Sequence, residues 1–140
     1  MRGDMYIRDM RTTRGHVAAC TSARWHPVDN GVLATASEDG TVRLWDAAAD
    51  WTHVRTLQCS TTVHSVSWHS RSAVLAVGLD NGNIEIWDAG AETLLYTVAG
   101  GGTQYGVAWH RSLDLLASVD VGSTVGVWEL GSVVNRTDAG

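Results

Sequence analysis

Residues 33–46, LATASEDGTVRLWD, place an acidic turn, a glycine and a Trp-Asp pair within fourteen positions, and weaker copies occur twice downstream. The apolar run VLATAS (32–37) and the alternating run TVRLWD (41–46) flank Asp39-Gly40, a dipeptide that supplies the positive backbone angle a tight hairpin needs. Period-2 alternation with β-branched residues predicts two short antiparallel strands here, not a helix.

The copies keep a fixed register. Trp25, Trp68 and Trp109 recur at intervals of 43 and 41, each followed by His26, His69 or His110. Trp45, Trp87 and Trp128 recur at 42 and 41, each followed by Asp46, Asp88 or Glu129. Two independent markers on one period near 42 define a repeat, and each repeat reads as the same succession of strands and turns. The later runs are AVLAVG with NIEIWD, whose turn contains Asn81-Gly82, and LLASVD with TVGVWE. The turn DVGST of the third unit reads as one residue longer than its counterpart EDG. HVRTLQ (53–58) and TLLYTV (93–98) supply a fourth strand to the first two units; in the third, GSVVNR holds a weak candidate.

Composition bounds the function classes. The 140 residues are 44% apolar, enough for a core, and carry seven Trp and ten Arg but no Phe or Lys. A net charge of -5 argues against the broad basic surface that neutralises phosphates. Residues 1–14 are a local exception: Arg2, Arg8, Arg11 and Arg14 against Asp4 and Asp9 give +2, while the remainder is -7. Cys20 and Cys59 lie far apart with no CxxC spacing, so neither a disulfide framework nor a zinc knuckle is expected. With no apolar leader and no membrane-length apolar run, the chain reads as soluble and intracellular, in nucleus or cytoplasm.

Four antiparallel strands every 41 to 43 residues, with Trp-Asp closing the third, resemble the WD-repeat family of β-propellers over about residues 6–130. The resemblance implies an all-β fold of three four-stranded blades, an incomplete ring on their own. Its expected divisions are a strand or arm at 1–14, repeats at 15–58, 59–98 and 99–136, and a tail at 137–140. It also implies a buried hydrogen-bonded tetrad in the first unit, His16, Ser37, Asp39 and Trp45, which holds the blade. The other units depart from it, with Cys59 and Gly100 for the His, Leu79 and Asp120 for the Ser, and Asn81 and Gly122 for the Asp. Their blades are expected to rely on apolar packing.

Propellers close with about four to eight blades, so three leave two apolar faces in water. The expectation is a piece of a longer propeller or self-association, in which MYIRDMR of one copy completes the last blade of another.

No catalytic motif emerges. His16, Ser37 and Asp39 could spell a hydrolase triad, but no G-x-S-x-G elbow accompanies them. The Trp-His pairs invite a metal, yet repeat symmetry spreads them around a ring and keeps them from converging. The glycines of AGGGTQ (99–104) precede a strand and read as a blade connection, not a phosphate cradle. Neither enzymatic activity nor a cofactor or metal is expected. The resemblance places partner binding on the ring face, at the residues six and four before the first-strand Trp and the one before the turn acid. These are Ala19, Thr21 and Glu38; Thr62, His64 and Asp80; Thr103, Tyr105 and Val121. Tyr105 and His64 are the strongest anchors, being aromatic with a polar tip.

Two functions follow. One is a non-catalytic protein-interaction scaffold within a larger assembly. The other is a nucleic-acid- or chromatin-associated module using the N-terminal arginines. YIRDMRTTRGHVAACTSARWHP followed by TASEDGTVRLW is similar to gastrulation-defective-type WD-repeat proteins, a nuclear group linked to RNA processing and the DNA-damage response.

Overall fold

The computed structural model describes residues 3, 5–8, 15–29 and 31–131. Among the described residues eleven strands form three antiparallel sheets in chain order. The first contains β1 (Cys20–Trp25), β2 (Val32–Ser37), β3 (Thr41–Asp46) and β4 (Thr52–Gln58). The second contains β5 (Val63–Trp68), β6 (Val74–Leu79), β7 (Asn83–Asp88) and β8 (Thr93–Ala99). The third contains β9 (Gln104–Trp109), β10 (Leu115–Asp120) and β11 (Val125–Glu129), and the segment expected to hold its fourth strand lies largely outside the described residues. Of the N-terminal segment, Met5, Tyr6 and Ile7 are exposed and form no strand; residues 9–11 lie outside the described residues.

Each sheet is a meander because its turns are too short for anything but hairpins. The turn between second and third strands shows why the copies tolerate different residues. Asp39 Oδ1 accepts the Thr41 N–H at 2.9 Å, and Asn81 Oδ1 accepts the Asn83 N–H at 3.1 Å. In the third sheet Asp120 takes over, its Oδ1 accepting the N–H groups of Gly122 and Thr124, each at 2.9 Å. This turn is not one residue longer, as its sequence implies. Val42 pairs with Ala36, Ile84 with Gly78 and Val125 with Val119, the same six-residue spacing in all three. Ser123, at φ 66°, stands where Gly40 (85°) and Gly82 (93°) stand in the others. The glycine and the acid have moved within a turn of constant length.

The core lies between sheets. Ala34, Ala36, Val42, Leu44 and Leu57 of the first meet Val66, Trp68, Leu75, Val77 and Trp87 of the second. Ala76, Ile84 and Ile86 of the second meet Val107 and Leu116 of the third, flanked by Val98, Trp109 and Trp128. The innermost strands β1, β5 and β9 follow one another, as expected of blades arranged around an axis. Each fully buried Val, Leu or Ile contributes about 1.5–3 kcal/mol, against about 0.5–1.5 kcal/mol for a typical hydrogen bond. The apolar layers therefore dominate cohesion.

The Trp-His pairs belong to this packing. The Nδ1 of His26 accepts the N–H groups of Val28 and Asp29 at 3.1 and 2.9 Å, closing the hairpin between β1 and β2. His69 does the same for Arg71, and His110 for Ser112 and Leu113. The first two rings also carry the indole of the following sheet: His26 lies 4.5 Å from Trp68 and His69 lies 5.1 Å from Trp109, centroid to centroid. Burial lowers the pKa of His26, with Asp29 opposing it, which suits a neutral ring that accepts through Nδ1.

Two substitutions test the turn assignment. Ser123→Gly relieves a left-handed backbone and is expected to raise stability by up to about 1 kcal/mol. Gly82→Ala adds strain and drives a methyl into the Gly101 carbonyl, lowering stability by about 1–3 kcal/mol. Urea denaturation of both variants checks the opposite signs.

Candidate partner-binding face

The buried polar array of the first sheet begins at Gly15, which packs against the ring of Trp45 so closely that a Cβ would collide with it. His16 follows. Its Nδ1 lies 3.0 Å from Asp39 Oδ2 and its Nε2 lies 2.7 Å from Thr35 Oγ1, while the Trp45 Nε1–H donates to the same Thr35 oxygen at 2.9 Å. A tautomer with the proton on Nδ1 satisfies the chain, the ring donating to Asp39 and accepting from Thr35. The hydroxyl between imidazole and indole is therefore Thr35, not Ser37. Ser37 binds two residues further along the strand, donating to the Ala18 and Ala19 carbonyls at 3.2 and 2.9 Å and accepting the Asp39 N–H at 3.0 Å.

Burial pushes the Asp39 carboxyl up. Hydrogen bonds from the Thr41 hydroxyl and N–H, the Val17 N–H and His16 outweigh it and hold the group well below the usual carboxylate range. Asp39, His16 and Thr35 have the connectivity of a hydrolase triad. However, Thr35 Oγ1 already bridges two ring nitrogens, and the His16 and Asp39 side chains are only 3% and 4% exposed. The arrangement satisfies buried groups.

The other indoles find different acceptors. Trp128 Nε1–H donates to Ser118 Oγ at 2.9 Å, and Ser118 is the third-sheet counterpart of Thr35. Trp87 Nε1–H donates to Glu85 Oε1 at 3.1 Å, both residues buried on β7. These sheets are thus not held by apolar packing alone, as their departures from the tetrad imply. Two signals in the sequence point to these partners. Thr35 and Ser118 are both hydroxyls at the repeat offset, whereas the counterparts of Ser37 are Leu79 and Asp120. Glu85 is two residues from Trp87, hence on the same strand face. Cys59, in the position of the His, is buried, and its thiol pKa is pushed up by burial and by the nearby Glu85. Among the described residues no group of three or more His, Cys, Asp or Glu side chains is placed to hold a metal.

The predicted ring-face residues form one row. Glu38 N–H donates to Ala19 O at 2.9 Å, Asp80 N–H to Thr62 O at 3.0 Å and Val121 N–H to Thr103 O at 3.0 Å, so each predicted triplet is joined by a backbone bond. Successive triplets are tied in turn by side chains. Thr62 Oγ1 donates to Glu38 O at 3.0 Å, and Thr103 Oγ1 to Asp80 O at 2.8 Å. Thr21 Oγ1 donates to Val63 O at 2.8 Å. The threonines are thereby engaged between sheets.

A second feature aims the remaining side chains. Each pair of first and second strands carries a register shift, and the unpaired residue is Thr21, His64 or Tyr105. A bulge re-aims its side chain out of the sheet alternation, which explains why the residue four before the Trp faces outward. His64 and Tyr105 come together with ring centroids 4.8 Å apart, and His64 Nε2 lies 2.9 Å from Asp80 Oδ1. Tyr105 is 53% exposed, and Glu38, Asp80 and Val121 are exposed beside it.

The family model described as WD domain, G-beta repeat matches residues 8–46 and 51–88. The chain is 52% identical over 44 residues to the gastrulation defective protein 1 homolog of Drosophila melanogaster, a match covering 31% of this chain and 7% of that protein. It is 48% identical over 46 residues to WD repeat-containing protein 70 of Rattus norvegicus, covering 33% and 7%. The matched stretches thus amount to under a tenth of the length of these curated relatives. The solved structure of U3-55K superposes with a TM-score of 0.79 at 24% identity, covering 86% of this chain and 38% of that one, which bears on the fold alone.

The polar array predicts a pH response. Because the carboxyl of Asp39 titrates lower in the folded state, its contribution is complete above the ordinary carboxylate value, about 3.9, and is lost as pH falls below it. Denaturation at pH 7 and pH 3 is expected to show a smaller difference for Asp39→Asn than for the wild type. Thr35→Val strands the imidazole and the indole together and is expected to lower stability at pH 7 by about 1–3 kcal/mol.

Proposed function

This chain belongs to the WD40 family of WD-domain, G-beta repeats, and on that premise we propose that it is a non-catalytic scaffold holding other proteins against Glu38, His64, Asp80 and Tyr105. The observation that carries the reading is the His64–Tyr105–Asp80 unit: an exposed phenol braced by a ring whose other edge meets a carboxylate. A braced aromatic gives large contact area with little rotamer entropy to lose, the usual chemistry of an interface anchor. Thr21 and Thr103 serve by setting the row's register, since their hydroxyls are engaged across sheets. Glu38 and Asp80 give this face an acidic edge, which favours a partner segment carrying Arg or Lys.

Affinity capture with the 140-residue chain as bait tests this. Tyr105→Ala and His64→Ala are each expected to weaken the main partner by tenfold or more, with Asp80→Ala reducing the salt dependence of what remains. Unchanged affinities in all three variants would overturn the assignment.

A second reading, a nucleic-acid- or chromatin-associated module in the nucleus, draws on the +2 charge of residues 1–14 and on the likeness of this region to the gastrulation-defective group. Arg8 is exposed; Arg2, Arg11 and Arg14 lie outside the described residues. On this reading, binding to duplex nucleic acid falls steeply with salt and disappears when residues 1–14 are removed.

A further inference from the structure

We propose that the gap between the second and third sheets is a binding site for the methylated ammonium head of a lysine side chain, received among Tyr96, Trp109, Trp128 and Glu129. None of these residues belongs to the ring-face row, and the inference does not depend on that row's function.

The two junctions between sheets differ at equivalent positions. At the first, Leu57, Trp68, Trp87 and Ala89 are all buried. Their counterparts at the second, Val98, Trp109, Trp128 and Leu130, are only half-buried. A cavity of about 280 Å³ remains there, bounded by these residues and by Ile86 and Leu116 of the core. The outer strands differ in a matching way. Arg55 of β4 ties the first junction at its rim, its Nε 3.8 Å from Glu92 of the second sheet. Tyr96 holds the same register position on β8, so an uncharged ring lines the second junction where a cation closes the first.

The chemistry of the walls specifies the ligand. In the first two sheets the acid after the third-strand Trp is spent on its own turn. Asp46 Oδ1 accepts the Ala48 N–H at 2.9 Å, and Asp88 Oδ1 accepts those of Gly90 and Ala91 at 3.0 and 3.1 Å. Glu129 stands in that place in the third sheet. Among the described residues its carboxylate has no hydrogen bond or ion pair, and it is exposed and lines the cavity instead. The indoles bring no donors to it: the Trp128 Nε1–H is engaged by Ser118 at 2.9 Å, and the Trp109 Nε1 is buried from solvent.

Three aromatic rings and an unpaired carboxylate attract a cation, through the negative ring faces and the charge of Glu129. A bare ammonium brings three N–H donors and a guanidinium five, which walls so poor in acceptors leave unsatisfied. Methylation removes those donors and sets methyl groups against Ile86, Val98 and Leu116. The volume falls just below that of ordinary small-molecule sites, about 300–1,000 Å³, and suits one long side chain.

Titration of the isotope-labelled 140-residue chain with a blocked glycine-trimethyllysine-glycine tripeptide, followed through the indole N–H resonances, tests the site. Saturable shifts of the Trp109 and Trp128 resonances are expected. Binding is expected to be at least about tenfold weaker for the unmethylated tripeptide and for the uncharged analogue in which carbon replaces the methylated nitrogen. Tyr96→Leu and Glu129→Gln alter residues exposed on the single chain, and each is expected to weaken binding about threefold or more with the thermal transition unchanged. Tyr96→Phe is expected to retain binding, and Tyr105→Ala on the ring face to leave it unaltered. Absence of shifts up to about 5 mM tripeptide, as when another part of the chain fills the gap, would overturn the site. So would equal affinity for the uncharged analogue, tighter binding of free choline than of the tripeptide, or indifference to both Tyr96→Leu and Glu129→Gln.

Discussion

The burial of both faces of each β-sheet by its neighbours is the constraint on which everything else in this molecule depends. A four-stranded meander has two sides, and a sheet whose alternating strands are apolar on both cannot stand alone in water. The middle sheet meets this requirement completely: Ala76, Val77, Ile84 and Trp87, two on each side, are all buried. Among the described residues the second sheet buries the Ala34 and Val42 side of the first sheet and the Leu116 side of the third.

Polar groups fit into the apolar frame by local solutions that differ between repeats. The indole N–H at the end of the third strand must find an acceptor once it is buried. Thr35 provides it in the first sheet, Ser118 in the third and Glu85 in the second. Only the first sheet continues the chain of bonds through His16 to Asp39. Repeats can lose most of a consensus tetrad because the need is for one acceptor near the indole, and either the second strand or the indole's own strand can supply it.

The ring face follows from a backbone irregularity that all three sheets share. A bulge at Thr21, His64 and Tyr105 takes one residue per sheet out of alternation and turns it outward. Threonine hydroxyls donated across sheets fix the spacing of these positions, so that Tyr105 and His64 meet although they come from different blades. A rigid frame thereby presents a small aromatic and acidic surface of fixed geometry, which is what a scaffold requires.

The sequence by itself determined the strands, their succession and the period, because alternation and turn residues act within a few positions and leave a local imprint. VLATAS, TVRLWD, NIEIWD and LLASVD coincide with β2, β3, β7 and β10. Family resemblance added the rows of ring-face positions. Tertiary structure alone decided which atoms meet: that Thr35 and not Ser37 bridges His16 and Trp45, that Glu85 serves Trp87, that the third turn keeps its length, and that Trp68 meets the first sheet while His69 beside it meets the third. Those choices depend on side-chain direction and on contacts between residues some forty positions apart. A local pattern carries no record of such contacts until the sheets are stacked.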